Sequence, residues 1–164
     1  MKWFTPHPQS VEQLKKLYKK LAMKHHPDIG GAEADMKEIN SEYDQLFEQL
    51  KNIHEAANGE TYTAQQPTQE TPDEFKNIIN CLLHLEGIDI EICGSWIWIT
   101  GETMRHKEAL KELRFRWSKS KKAWYFHNEG YRKHNNKQFT LDEIRSLYGS
   151  EKLNSDPALK LQII

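Results

Sequence analysis

The chain has 164 residues, enough for one domain of ordinary size or two small ones, and 29% charged against 37% hydrophobic residues describes a polar globular protein. No apolar run approaches the ~20 residues that cross a bilayer, and the start, Met1-Lys2-Trp3-Phe4-Thr5-Pro6, lacks the apolar core of a signal peptide, so no membrane partner and a cytoplasmic location are expected. The net charge of −1 conceals excesses of about five positive charges over residues 1–25, about seven negative over 28–60 and about seven positive over 101–138.

Residues 1–10, with Pro6 and Pro8 and no helical periodicity, leave no room for a full helix, and Trp3 and Phe4 are expected to plug the groove between the two helices that follow. Ser10-Val11-Glu12-Gln13 has the form of a capping box. From there Leu14, Leu17, Tyr18, Leu21 and His25 recur at helical spacing, while Lys15, Lys16, Lys19, Lys20 and Lys24 crowd the remaining surface. Pro27 ends the helix and drives His26 out of the α region, so His26 and Asp28 are expected at the tip of a loop, facing outward. After Gly30-Gly31 a second helix follows, whose stripe of Met36, Ile39, Tyr43, Leu46, Phe47, Leu50 and Ile53 faces the first in an antiparallel hairpin.

This run resembles the J-domain of the DnaJ co-chaperone family. Leu14 to Ala22 reads as that family's second helix, His26-Pro27-Asp28 as its hallmark tripeptide, and Met36 to Leu46 as its third helix. The resemblance covers about residues 1–50, and the chain departs from the pattern where the family has its first helix. It implies a DnaK-type ATPase chaperone as partner, docked by Lys15, Lys16, Lys19, Lys20 and Lys24 and stimulated by His26, Pro27 and Asp28.

Residues 58–70 are polar, without periodicity, and read as a linker. Thr71-Pro72-Asp73-Glu74 opens a new unit as a second capping box, followed by the apolar helix face Phe75, Ile78, Ile79, Leu82, Leu83 and Leu85. Residues 88–93 alternate with period two, Gly94-Ser95 is a hairpin turn and 96–99 return. A helix over 104–113, two further strands around Lys119-Ser120-Lys121-Lys122, and a final helix opened by Thr140 and Glu143 complete the order αββαββα around an antiparallel sheet. The expected fold is α+β: a truncated J-domain-like hairpin over 1–57, the linker 58–70, a small α+β domain over 71–150 and a tail over 151–164. Leu159 to Ile164, apolar at alternate positions, is either an added edge strand or disordered. The segment from Thr100 to Tyr125 also resembles a small module of phage- and plasmid-borne proteins of uncertain role, which transfers no activity.

The second unit combines aromatics with cations. Trp96 and Trp98 project to one side of their strand and Ile97 and Ile99 to the other. With Trp124 and the cations Arg105, Lys107, Arg114, Arg116, Lys119, Lys121, Lys122, Arg132, Lys133 and Lys137, they would make either a stacking platform for single-stranded nucleic acid or a cleft for client segments; alternatively the tryptophans are core and the cations ordinary surface. Cys81 and Cys93 fit reduced core residues, with a disulfide left open by spacing alone. Cys81 and His84 stand three apart on a helix, but without a paired CxxC motif no metal site is expected. No phosphate-binding glycine loop or nucleophile motif occurs, so neither a cofactor nor an enzymatic activity is expected. The functional expectation is a co-chaperone whose second domain binds a client protein or complex. The rivals are a nucleic-acid-binding protein of a phage or other mobile element and an inhibitor of a host complex.

Overall fold

A computed structural model describes residues 1–127, 138–149 and 153–154. Helix α1 (Val11–His25) starts at Ser10, whose hydroxyl accepts from the Gln13 amide at 3.2 Å. The return half of the cap lands one residue earlier than a capping box requires, because the Gln13 side chain accepts from the amide of Gln9 and not of Ser10. A 3₁₀ turn over Pro27–Ile29 leads to helix α2 (Glu33–Leu50). In place of a preceding helix, residues 2–4 are lashed to α2: the amides of Lys2 and Trp3 donate to the Glu42 carboxylate, and Phe4 is buried beside Tyr43.

Helix α2 stops at Leu50, three residues before the apolar stripe suggested, and Ile53 lies instead in strand β1 (Ile53–Glu55). Strand β2 (Thr61–Thr63), inside the segment read as a linker, pairs with β1 antiparallel. The cause lies on α1, where the buried Glu12 carboxylate bonds the His54 ring at 2.7 Å and accepts from the Glu55 amide at 2.9 Å. These bonds require an extended chain at 53–55, while Ile53 still reaches the core from its strand. Burial works against the Glu12 charge, but the bonds from His54 and from backbone amides prevail and hold its pKa below the ordinary 4.5. An acid with a lowered folded pKa stabilises the fold above its ordinary value and loses that contribution as pH falls through the folded one. Glu12→Gln is therefore expected to cost about 1–3 kcal/mol near neutrality and to flatten the acid limb of the stability profile. Urea midpoints measured down to about pH 3 check this, and an unchanged acid limb would assign the loss to other carboxylates.

Helix α3 (Pro72–Leu83) carries a complete capping box between Thr71 and Glu74. Strands β3 (Ile88–Cys93) and β4 (Trp96–Gly101) form the expected hairpin, with Ile92 opposite Ile97. A 3₁₀ turn over Thr103–His106 precedes the short helix α4 (Lys107–Glu112), and strands β5 (Arg116–Ser118) and β6 (Ala123–Phe126) follow. Helix α5 (Leu141–Tyr148) is again capped by a reciprocal pair, Thr140 and Glu143. Strand β7 (Leu153–Asn154) pairs with the edge of β3, giving a five-stranded antiparallel sheet in the order β5-β6-β4-β3-β7. The fold is thus α+β with a helical hairpin first and the αββαββα unit after it, as the sequence indicates. The apolar tail segment 159–164 lies outside the described residues.

Both sides of the sheet are covered. Ile88, Ile90, Ile92, Ile97, Ile99 and Trp124 share one buried cluster with the apolar side of α3, and it continues into the α1–α2 hairpin through Phe75, Tyr18 and Tyr43. On the other side Cys93, Trp98 and Ala123 pack with Leu141 of α5, helped by Trp96, Tyr125 and Ile144. Lys76 of α3 adds a polar tie to Asp44 of α2 at 2.7 Å.

Candidate functional site

A helix turns 100° per residue, so five lysines at 15, 16, 19, 20 and 24 cannot share one face. They form two rows, and the structure treats the rows differently. Lys15 and Lys19, one turn apart, are 4% and 2% exposed. Lys15 pairs with Glu70, a carboxylate buried as deeply, and its ammonium sits 5.1 Å from the Phe75 ring. The Lys19 ammonium donates to the Ile90 carbonyl of β3 at 2.9 Å. In the second row, Lys16 donates to the Tyr148 and Gly149 carbonyls at the C-terminal end of α5, where the helix dipole favours a cation. Lys20 and Lys24 are exposed.

The pattern differs from one apolar side and one cationic side because α1 is covered by two partners. Helix α2 takes Leu14, Tyr18 and Ala22, while β1, β3 and α3 take the side of Glu12, Lys15 and Lys19; Leu17 and Leu21 are left half-buried. Long lysine stems can bury their methylenes only if the ammonium finds an acceptor, and Glu70 and the Ile90 carbonyl supply it.

Beyond α1, the loop geometry is set by two glycines. Gly30 has φ +92°, and a Cβ on Gly31 would run into the His25 carbonyl, so no side chain fits there. His26 and Asp28 are consequently held together: the His26 Nδ1 accepts from the Asp28 amide at 3.3 Å and lies 3.5 Å from its carboxylate. Asp28 is exposed, whereas the His26 side chain is only 13% exposed, beside the edge of the ring of His84, which caps the C-terminal end of α3. The two side chains therefore do not project equally. His84 also pairs through Nε2 with the Asp28 carboxylate and through Nδ1 with the Asn80 carbonyl, so both ring nitrogens face acceptors.

The aromatic candidates of the second unit separate onto two faces. Trp96 and Trp98 stack at 5.8 Å, with Tyr125 against both, His127 4.4 Å from Trp96 and the Lys121 ammonium 5.9 Å from Trp98. Trp98 is 4% exposed, and α5 lies over this cluster. Trp124 is buried on the opposite face, beside a half-exposed Trp117. Period-two alternation separates Trp124 from Trp96 and Trp98, so the three do not form one platform. Arg105 pairs with Glu102; Arg116 on β5 and Lys119 and Lys122 in the β5–β6 turn are exposed; Arg132 and Lys133 lie outside the described residues, as does Lys137. Cys81 is exposed and Cys93 buried, with no disulfide joining them, and among the described residues no group of three His, Cys, Asp or Glu is arranged to hold a metal. Among the same residues no helix is long and apolar enough to cross a membrane.

Sequence reasoning missed Glu70, His84 and the Ile90 carbonyl as partners of Lys15, Asp28 and Lys19. Glu70 sits in a featureless polar stretch, and His84 drew notice only for its spacing from Cys81. A backbone carbonyl leaves no trace in side-chain identity.

A helical hairpin holding a His-Pro-Asp loop between a lysine-rich first helix and an acidic second one defines a J-domain-like region in an α+β protein. Sequence comparison points the same way. Chaperone protein DnaJ of Shouchella clausii (strain KSM-K16) is 49% identical over 45 residues, and that of Acetobacter pasteurianus (strain NBRC 105184 / IFO 3283-01) is 50% identical over 46. Each match covers 26% of this chain and only 12% of the relative's length. No family model and no solved structure matches the chain.

Proposed function

We propose that the protein is a co-chaperone that docks on a DnaK-type ATPase through α1 and stimulates it through the His26-Pro27-Asp28 loop, with the sheet domain selecting the client or complex. The observation that carries this reading is the loop itself. Pro27 stops α1, two glycines close the turn, and an imidazole and a carboxylate are fixed within 3.5 Å of each other just beyond a cationic helix. Lysines of that helix attract an acidic partner surface and speed encounter, while the rigid loop contributes directional hydrogen bonds that favour one conformation of the partner. In this reading the role of the pair is to bias another protein's equilibrium and not to act as acid and base.

His26→Gln keeps a polar side chain at a position that the core does not use, so folding is expected to persist. Stimulation of single-turnover ATP hydrolysis by a DnaK-type chaperone is expected to fall to the unstimulated rate. Equal stimulation by the wild type and the variant rejects the assignment. Binding by the wild type without any rise in hydrolysis would instead assign it as an inhibitor of the chaperone.

A further inference from the structure

Four of the residues that would meet the ATPase are already engaged by the chain's own second half. Lys15 pairs with Glu70, Lys19 donates to the Ile90 carbonyl, Lys16 donates to the last carbonyls of α5, and Asp28 pairs with His84. These four contacts come from four separate places: the run before α3, strand β3, the end of α5 and the end of α3. Their signs are matched to the surface they cover, with a carboxylate and carbonyl oxygens against the lysines and an imidazole against the one aspartate. The sheet domain thus offers α1 the same kind of complement that an acidic docking partner would offer.

We infer that the sheet domain is a built-in inhibitor of the docking face, held shut by Glu70 on Lys15 and by His84 on Asp28, and that the ATPase partner must displace it. The inference rests on the docking reading above and concerns the regulation of that same site. A lysine ammonium within reach of Glu70 in the interior cannot at the same moment pair with an acidic residue of another protein, so the two associations compete for the same charge. When only a fraction of molecules has the face open, the apparent affinity for the partner falls by that fraction. Phe75, buried against the contacting rings of Tyr18 and Tyr43, makes opening rare, because separating the halves would expose all three rings.

The double variant Glu70→Gln/His84→Ala tests this in the full chain. It leaves Lys15 buried without its carboxylate, which favours conformations that return the ammonium to water, and releases Asp28. With an open conformer populated at roughly 10% or less in the wild type, the double variant is expected to stimulate the chaperone's ATPase at least about tenfold more at subsaturating concentration. Adding His26→Gln should abolish the gain. The surface variant His84→Ala alone, which frees only Asp28, should give a smaller gain in the same direction. Amine acetylation followed by mass spectrometry reads the opening directly: Lys15 and Lys19 should react slowly in the wild type relative to Lys24 and faster in the double variant. A wild type that stimulates as strongly as the double variant overturns the inference and leaves the docking reading standing. Absence of stimulation by both, with Lys15 and Lys19 reactive in the double variant, overturns the docking reading and the inference with it. Lys15 and Lys19 that react as fast as Lys24 in the wild type, or stay protected in the double variant, overturn the latch.

Discussion

Phe75→Ala is expected to cost about 3–5 kcal/mol of folding stability, measured as a fall in the urea midpoint at unchanged slope. The ring is fully buried, with the Tyr18 and Tyr43 centroids each at 5.9 Å and the Lys15 ammonium at 5.1 Å. Alanine removes the apolar area and leaves a cavity between rigid aromatic neighbours that have little freedom to collapse into it. Phe75 belongs to α3 and its neighbours to α1 and α2, so the loss should reach both halves of the chain. Amide exchange in α1 and in β3 should accelerate together. A cost under about 1 kcal/mol, or acceleration confined to α3, would show that the two halves scarcely support each other.

The second large effect is expected at Arg145. Glu91 of β3 has no solvent exposure, and its carboxylate accepts two hydrogen bonds at 2.8 Å from the Arg145 guanidinium, which is also tied to Asp142. The bond to Glu91 holds the guanidinium pKa still further above its ordinary value. Arg145→Ala leaves a buried carboxylate with no compensating charge, at a cost of about 3–5 kcal/mol near neutral pH. Replacing both partners, Glu91→Leu with Arg145→Leu, should recover most of the loss, since an apolar pair needs no compensation. Urea titrations of the three proteins check this, and a double variant no more stable than Arg145→Ala would contradict it.

The parts of this molecule that are legible in the sequence are those decided by neighbours along the chain. Thr71 with Glu74 and Thr140 with Glu143 form reciprocal caps three residues apart, Pro27 halts α1 by its own covalent geometry, and the alternation over 88–99 assigns Ile97 and Trp98 to opposite faces. Reading went astray where a distant group intervened. Ile53 has helical spacing from Leu50 and Leu46, yet Glu12 draws the chain into a strand one residue later through His54 and Glu55. The polar stretch before α3 has no periodicity of its own, and it nevertheless places Glu70 beneath Lys15.

The lysines of α1 show where the division falls. Sequence alone determined that a basic amphipathic helix runs into a proline-stopped His-Pro-Asp loop, because spacing, charge and the pyrrolidine ring are properties of adjacent residues. Only the tertiary structure decided which ammonium groups meet water. Lys19 finds its acceptor on a carbonyl 71 residues along the chain, Lys15 on a carboxylate from a stretch with no pattern, and Lys24 finds bulk solvent. A buried cation is tolerated only where an acceptor has been brought to it, and that meeting is a property of the packed chain.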